Sequence, residues 1–361
     1  MDQRSHLLEQ GAYGCVFTSK LHCKAGTKVA LGASIGKGPK VNKLLDTDNA
    51  EKEIEIAKRI LAIPYYKHYF IVAESICKPD PVRVEKEMGL EECEVLERYD
   101  IPEVRILSMP HGGVDLKQYQ PNVDRFRLTS FFAKLLQAGA LLNLHGIVHH
   151  DLHEANIVMD DHDNPRMIDF NLSVNIQQGV THDGLFLKEN SLWYVQYSPD
   201  FSLVNAIAQQ KEMHEAVEEI IGKKRGLTHI SSLLNYPRSA MKEDLIAFYA
   251  ESQAAKKGDL KEWFDFHWHT IDAWAIAYLV VQRWKHISVF PSFMAVLDTD
   301  KDKDKMQRLL KRMMALNPFD RLDCVQALFE WDPSHYILRL PKAVAWMKRA
   351  VEDRAERPMK Q

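Results

Sequence analysis

The chain is expected to be an α+β protein, and three observations predict this. Its 361 residues, 46% hydrophobic and 27% charged, have ordinary globular composition and are enough for two packed lobes. Residues 126–146 form a strongly apolar helical pattern that Gly146 stops, whereas 48–62 carry Ile54, Ala57, Ile60 and Leu61 at the offsets of one helical face. Between Asn156 and Asp169 the chain reads as a strand, a polar turn over Asp160–Pro165 and a second strand.

Composition narrows the function classes. A formal net charge of −3 supplies no global field for nucleic acid or an anionic membrane. The start Met1-Asp2-Gln3-Arg4-Ser5-His6 carries no apolar secretory segment and no stretch approaches a membrane span, so an intracellular, soluble protein is expected. The five cysteines, Cys15, Cys23, Cys77, Cys93 and Cys324, are odd in number and form no C-x-x-C pair, which predicts free thiols in a reducing compartment.

The chemistry-bearing stretch is 147–173, IVHHDLHEANIVMDDHDNPRMIDFNLS. Its strand–turn–strand length would bring Asn156 and Asp169 back together, and such hard oxygen donors suit Mg²⁺. His149-His150-Asp151-Leu152 with Asn156, then Asp169-Phe170-Asn171, resembles the catalytic loop and metal-binding motif of the protein kinase superfamily. The resemblance implies a bilobal kinase-like fold, with a small strand-rich N-lobe over 1–109, a larger helical C-lobe over 110–332 carrying an insertion near 203–265, and a C-terminal helix and charged tail over 333–361. It also implies an ATP- and Mg²⁺-dependent transfer to serine or threonine of a protein substrate. Within it Asp151 is the base, Asn156 and Asp169 hold metal, and His149 supports the loop.

The same likeness orders the rest of the chain. Leu8 to Val16 is similar to the kinase glycine-rich loop, with Gly11, Ala12, Tyr13 and Gly14 near the phosphates, Val16 over the adenine, and Glu9 where the family's first glycine stands. Lys40-Val41-Asn42-Lys43 resembles the strand with the phosphate-pairing lysine. Lys43 is preferred to Lys40 because Pro39 marks where a strand can begin. Helix 48–62 would be helix C, with Glu53 bracing Lys43 and Glu51 and Glu55 as alternatives. Ile106 to Leu116 looks like the strand running into the hinge, with Met109 as gatekeeper, backbone near His111 on the adenine and Asp115 at the ribose.

Ser198-Pro199-Asp200 stands in for the family's A-P-E, so Asp200 should pair with Arg321 of Asn317-Pro318-Phe319-Asp320-Arg321. Asp272 of Asp272-Ala273-Trp274 should brace the catalytic-loop backbone, a buried carboxylate tolerated only with several hydrogen bonds.

Between Asp200 and Asp272 the chain exceeds the family pattern by about fifty to sixty residues. Met213, Val217, Ile220 and Ile221 give one helix of this insertion an apolar face, and Leu245, Ile246, Phe248 and Tyr249 give a second, ending at Gly258. Docking a partner and packing on its own lobe are both open to it. The compact N-lobe with Cys23-Lys24 and the long insertion look like serine/threonine-type kinases of large DNA viruses, which would place the protein in host cytoplasm or virion.

Three departures matter: His150 replaces an arginine that reads an activation-segment phosphate, His153 replaces a lysine typical of serine/threonine kinases, and Asn171 replaces a glycine. A small-molecule kinase of the aminoglycoside type, which Asp151-Leu152-His153 also resembles, and a catalytically silent scaffold are the alternatives. Other patterns are set aside. Gly32 to Gly38 lacks Walker-loop spacing, Asp298, Asp300, Asp302 and Asp304 lack a calcium loop's glycine and glutamate, and His145, His149, His150 and His153 lack soft-ligand company for zinc. The aromatic run Trp263, Phe264, Phe266 and Trp268 reads as core.

Overall fold

A computed structural model describes residues 7–11, 14–18, 21–32, 38–84, 92–178 and 191–355. The protein is of mixed α+β type and divides into two compact units. One comprises Met1–Val114 with Arg166–Ser173; the other comprises Asp115–Pro165 with Val174–Gln361.

The first unit is built on an antiparallel sheet. Its elements run β1 (Leu7–Gly11), β2 (Gly14–Phe17), β3 (Val29–Ala30), β4 (Lys40–Asp46), α1 (Thr47–Leu61), β5 (Ser75–Cys77), α2 (Pro81–Val84), α3 (Val95–Arg98) and β6 (Val104–Pro110). The strands are ordered β1-β2-β4-β6-β5-β3, so β4 and β6 are central. Strand side chains alternate between faces, which puts Val41, Lys43 and Leu45 of β4 on one side and Asn42 and Leu44 on the other. All five are buried, because both faces are covered. Helix α1 begins where the Asp46 carboxylate accepts the Asn49 N–H at 3.0 Å, and Lys58 and Arg59 sit at its negative end.

The face bearing Leu44 has its own core of Cys15, Phe17, Leu21, Leu44, Cys77, Cys93, Val95 and Ile106. Here the structure corrects the cysteine expectation. Cys15 is bonded to Cys93 and Cys23 to Cys77, leaving Cys324 as the free thiol. Partners 78 and 54 residues apart leave no local spacing signature, since the sheet and the chain crossing its face bring them together. The argument for a reducing compartment falls with the free thiols.

The second unit is mostly helical. After β7 (Val114–Asp115), which lies at the chain's passage between units, come α4 (Leu128–Leu144), β8 (Ile147–Val148), β9 (Ile157–Met159), β10 (Pro165–Met167) at the return passage, and β11 (Val174–Asn175), antiparallel to β8. There follow α5 (Pro199–Ala208), α6 (Met213–Lys223), α7 (Leu227–Leu234), α8 (Arg238–Glu251), α9 (Gln253–Lys257), α10 (Leu260–Ile287), α11 (Pro291–Asp298), α12 (Lys303–Met313), α13 (Cys324–Trp331) and α14 (Pro341–Ala355). Helix α4 is apolar almost all round and is buried as such a helix must be, between α10 and α13. The approach is close at Gly139, where a Cβ would lie 2.5 Å from Cys324 Sγ and 2.6 Å from Ile276 Cδ1.

The stretch expected to be an insertion with two helices holds four, α6 to α9. Gly226 and Asn235, both left-handed, break the apolar pattern between α6 and α8 and admit α7. Ala216, Val217, Ile220, Ile230, Met241, Leu245 and Phe248 are buried within the unit, so the apolar faces pack on the protein itself. The aromatic run belongs to α10, with Trp263 and Phe264 buried and Phe266 exposed. Among the aspartates set aside as a calcium loop, Asp300 Oδ2 accepts from Thr129 Oγ1 at 2.5 Å and Lys303 pairs with Asp298 at 2.7 Å, which ties down the start of α12. No helix among the described residues is long and apolar enough to cross a membrane.

Candidate active site

In the first unit β4 and α1 bring Lys43 against Glu53. Lys43 Nζ lies 2.9 Å from Glu53 Oε2 and 2.8 Å from Asp169 Oδ1, the latter on the segment that follows β10. Lys43 and Glu53 are buried, whereas the Asp169 side chain keeps 39% of its surface open. Burial works to lower the Lys43 pKa, but the charges of Asp169 and Glu53 and their hydrogen bonds outweigh it and hold the ammonium protonated well above its usual range. Burial pushes the Glu53 carboxyl up, and Lys43 pulls it back. Of the alternatives, Glu51 is exposed and Glu55 faces Arg59 at 3.9 Å. Lys40, on the other face of β4, pairs with Glu74 at 2.9 Å.

Val16 lies opposite Lys43, and Met109 opposite Val41, so both share the Lys43 face of the sheet. Gly11 and Gly14 close the β1–β2 hairpin; Ala12 and Tyr13, expected beside them, lie outside the described residues. Position 14 has no room for a side chain, because a Cβ would stand 2.8 Å from the Leu44 carbonyl oxygen and 2.2 Å from Leu45 Cδ2. In the stretch expected to meet adenine, the His111 N–H already donates to the Pro39 carbonyl at 2.9 Å, and the Gly112 carbonyl accepts from Arg166 at 2.6 Å. The His111 N–H is therefore spent on holding β6 to the start of β4. Phe170 is buried edge-on against Phe70, with ring centroids 6.0 Å apart. Asp169 has a left-handed backbone, φ 61°, a conformation Asp tolerates better than most residues.

In the second unit the loop after β8 carries Asp151, His153 and Asn156. Its backbone is fixed by Asp272 of α10, whose carboxylate accepts the N–H of His149 at 2.7 Å and of His150 at 3.1 Å. Burial raises the Asp272 carboxyl, while His149 and those two N–H groups oppose the rise. His150 is left-handed, φ 67°, and its ring packs on Tyr197 and Phe264. Such backbone strain persists only where the surroundings over-determine it; here Asp272 and the aromatic cage do so.

Asp151 sits among three side chains. Gln196 Nε2 donates to its Oδ1 at 2.9 Å, Asn156 Nδ2 donates to its Oδ2 at 3.2 Å and to its carbonyl at 2.8 Å, and His153 Nε2 lies 3.5 Å from Oδ2. The Ala155 N–H donates to His153 Nδ1, which puts a neutral ring's proton on Nε2, toward Asp151. Burial would raise the Asp151 carboxyl, but the hydrogen bonds and charge of His153, with Gln196 and His149, leave it below the ordinary range. Asn156 Nδ2 is turned to the Asp151 carbonyl and carboxylate and also lies 3.2 Å from His153 Nε2, so the group Asn156 offers to a cation is Oδ1. An oxygen donor there, and the half-open carboxylate of Asp169 in the other unit, are of the hard type that Mg²⁺ takes.

Away from the loop, Asp200 and Arg321 meet with both side chains fully buried, Oδ1 to Nη2 at 2.5 Å. Trp263 Nε1 donates to the other Asp200 oxygen at 3.0 Å, and the Arg321 guanidinium lies 5.4 Å from the Trp274 ring. Asp115 accepts the Gln118 N–H at 2.9 Å and closes a turn. Two residues the sequence did not single out take part. Gln196 lies within the stretch before Ser-Pro-Asp, but nothing about a glutamine there marks it. Lys224, in a basic run at the end of α6, is buried. No protein-family model matches the chain, and no curated protein does.

Proposed function

We propose that the protein is an ATP- and Mg²⁺-dependent protein kinase with a bilobal kinase-like fold, acting on serine or threonine hydroxyls of a protein substrate. The observation that carries the reading is the contact of buried Lys43 with both Glu53, on the next helix, and Asp169, 126 residues away. A protonated lysine held between two carboxylates is poised to exchange part of that pairing for a phosphate. Asp151, ionised at neutral pH and oriented from two sides, accepts the hydroxyl proton. Bound at Asn156 and Asp169, Mg²⁺ would neutralise charge on the phosphate oxygens. His153, with Nε2 3.5 Å from Asp151 Oδ2, supports Asp151 more than it pairs with phosphate. The Asp200–Arg321 pair, beneath the segment that in kinases receives a peptide, favours a protein substrate over a small molecule.

The test joins binding to transfer. Mg-ATP at about a hundred times its Kd should stabilise the fold by about 2.7 kcal/mol, read as a raised melting temperature. Radiolabel from γ-³²P-ATP should then pass to a basic protein such as myelin basic protein or histone and not to an aminoglycoside. The absence of both stabilisation and transfer would overturn the proposal, and stabilisation without transfer to any acceptor would mark a scaffold.

A further inference from the structure

The helical insertion ends α6 at a lysine with no carboxylate of its own. Lys224 is 4% exposed, and its Nζ donates to the carbonyls of Ser191 at 2.9 Å and Tyr194 at 3.3 Å. The next residue continues the contact, the Arg225 N–H donating to the Leu192 carbonyl at 3.0 Å. From the central helix, Trp274 Nε1 donates to the Val195 carbonyl at 3.0 Å. Four of five consecutive carbonyls are thus held from two helices, and the side chain that follows, Gln196, holds Asp151 at 2.9 Å.

We propose that Lys224 is a positioning residue: through the insertion it clamps Ser191–Val195 so that Gln196 keeps Asp151 aimed, the task an activation-segment phosphate would otherwise perform. The inference rests on the kinase reading and gives the insertion a role within it. A phosphate in such a place works by drawing a cation to the segment. Here the cation comes from the insertion and the segment answers with backbone carbonyls, so no modification is needed. Asp200, the nearby acid, is taken by Arg321 and Trp263. Burial draws Lys224 down to about 7, with Asp200 pulling it back. Neutral or charged, the amine keeps at least two N–H donors for its two carbonyls, so the clamp survives deprotonation.

Lys224→Met keeps the apolar stem and deletes the donors. Hydrogen exchange of the amides of 191–196 in the unligated protein should speed up by about tenfold or more, while those of α10 keep wild-type rates. In transfer assays kcat should fall with KM for ATP unchanged. Gln196→Ala should show the same split, and the double variant should lose no more than the worse single one, since both act on one chain of contacts. Should Lys224→Met fail to fold, Lys224→Gln, which retains an amide donor on a shorter stem, carries the same comparison. Wild-type exchange at 191–196 in the variant, or kcat losses that multiply in the double variant, would overturn the clamp. If the wild type transfers no phosphate, the kinase reading fails while the exchange measurement still decides whether Lys224 holds the segment.

Discussion

Asp169→Ala should reduce phosphoryl transfer by about 10³-fold or more, the scale seen when a preorganised group facing transition-state charge is removed. Two losses combine. The carboxylate proposed to hold the metal disappears, and Lys43 loses one of the two anions that keep its ammonium charged against burial. With Glu53 as its sole partner at 2.9 Å, Lys43 is drawn back toward α1. The fold should survive, because the Asp169 side chain is 39% exposed and an alanine at its left-handed backbone, φ 61°, costs only about 1–2 kcal/mol. Transfer of ³²P and the melting temperature, measured on one preparation, separate these effects. Undiminished transfer would refute the assignment.

Arg321→Met should destabilise the protein by about 3–5 kcal/mol, the usual cost of leaving a buried charge without its partner. Asp200 would keep the Trp263 N–H but lose the guanidinium 2.5 Å from its Oδ1. The Ala315 carbonyl, which accepts from Arg321 Nε at 3.0 Å, would also lose its donor. Asp200→Leu combined with Arg321→Met should recover much of the deficit, since a buried ion pair is often replaceable by apolar side chains of similar volume. Urea unfolding of the two single variants and the double one measures this. A loss below 1 kcal/mol for Arg321→Met would show that the pair is not buried in the way the fold requires.

What the sequence made legible was whatever repeats at short range or sits in a fixed register. The apolar pattern at 126–146 marks α4, and 48–62 marks α1, because helical periodicity needs only neighbours. Lys43, Glu53, Asp151, Asn156 and Asp169 were named from motifs whose spacing is set by the elements that carry them. What stayed hidden depends on tertiary contact. The pairing of Cys15 with Cys93 needs a sheet face and a chain crossing over it. Gln196 and Lys224 acquire their roles only once the segment before α5 lies between α6 and α10.

The crowding at Gly139 has a practical corollary. Cys324 lies at 0% exposure under α4, and burial raises its thiol far above the ordinary range. The other four cysteines are already oxidised in pairs. A thiol reagent offered to the intact molecule therefore finds no reactive sulfur until α4 and α13 part. Its uptake is a clock for breathing of the helical unit, built into the native chain without any engineered probe.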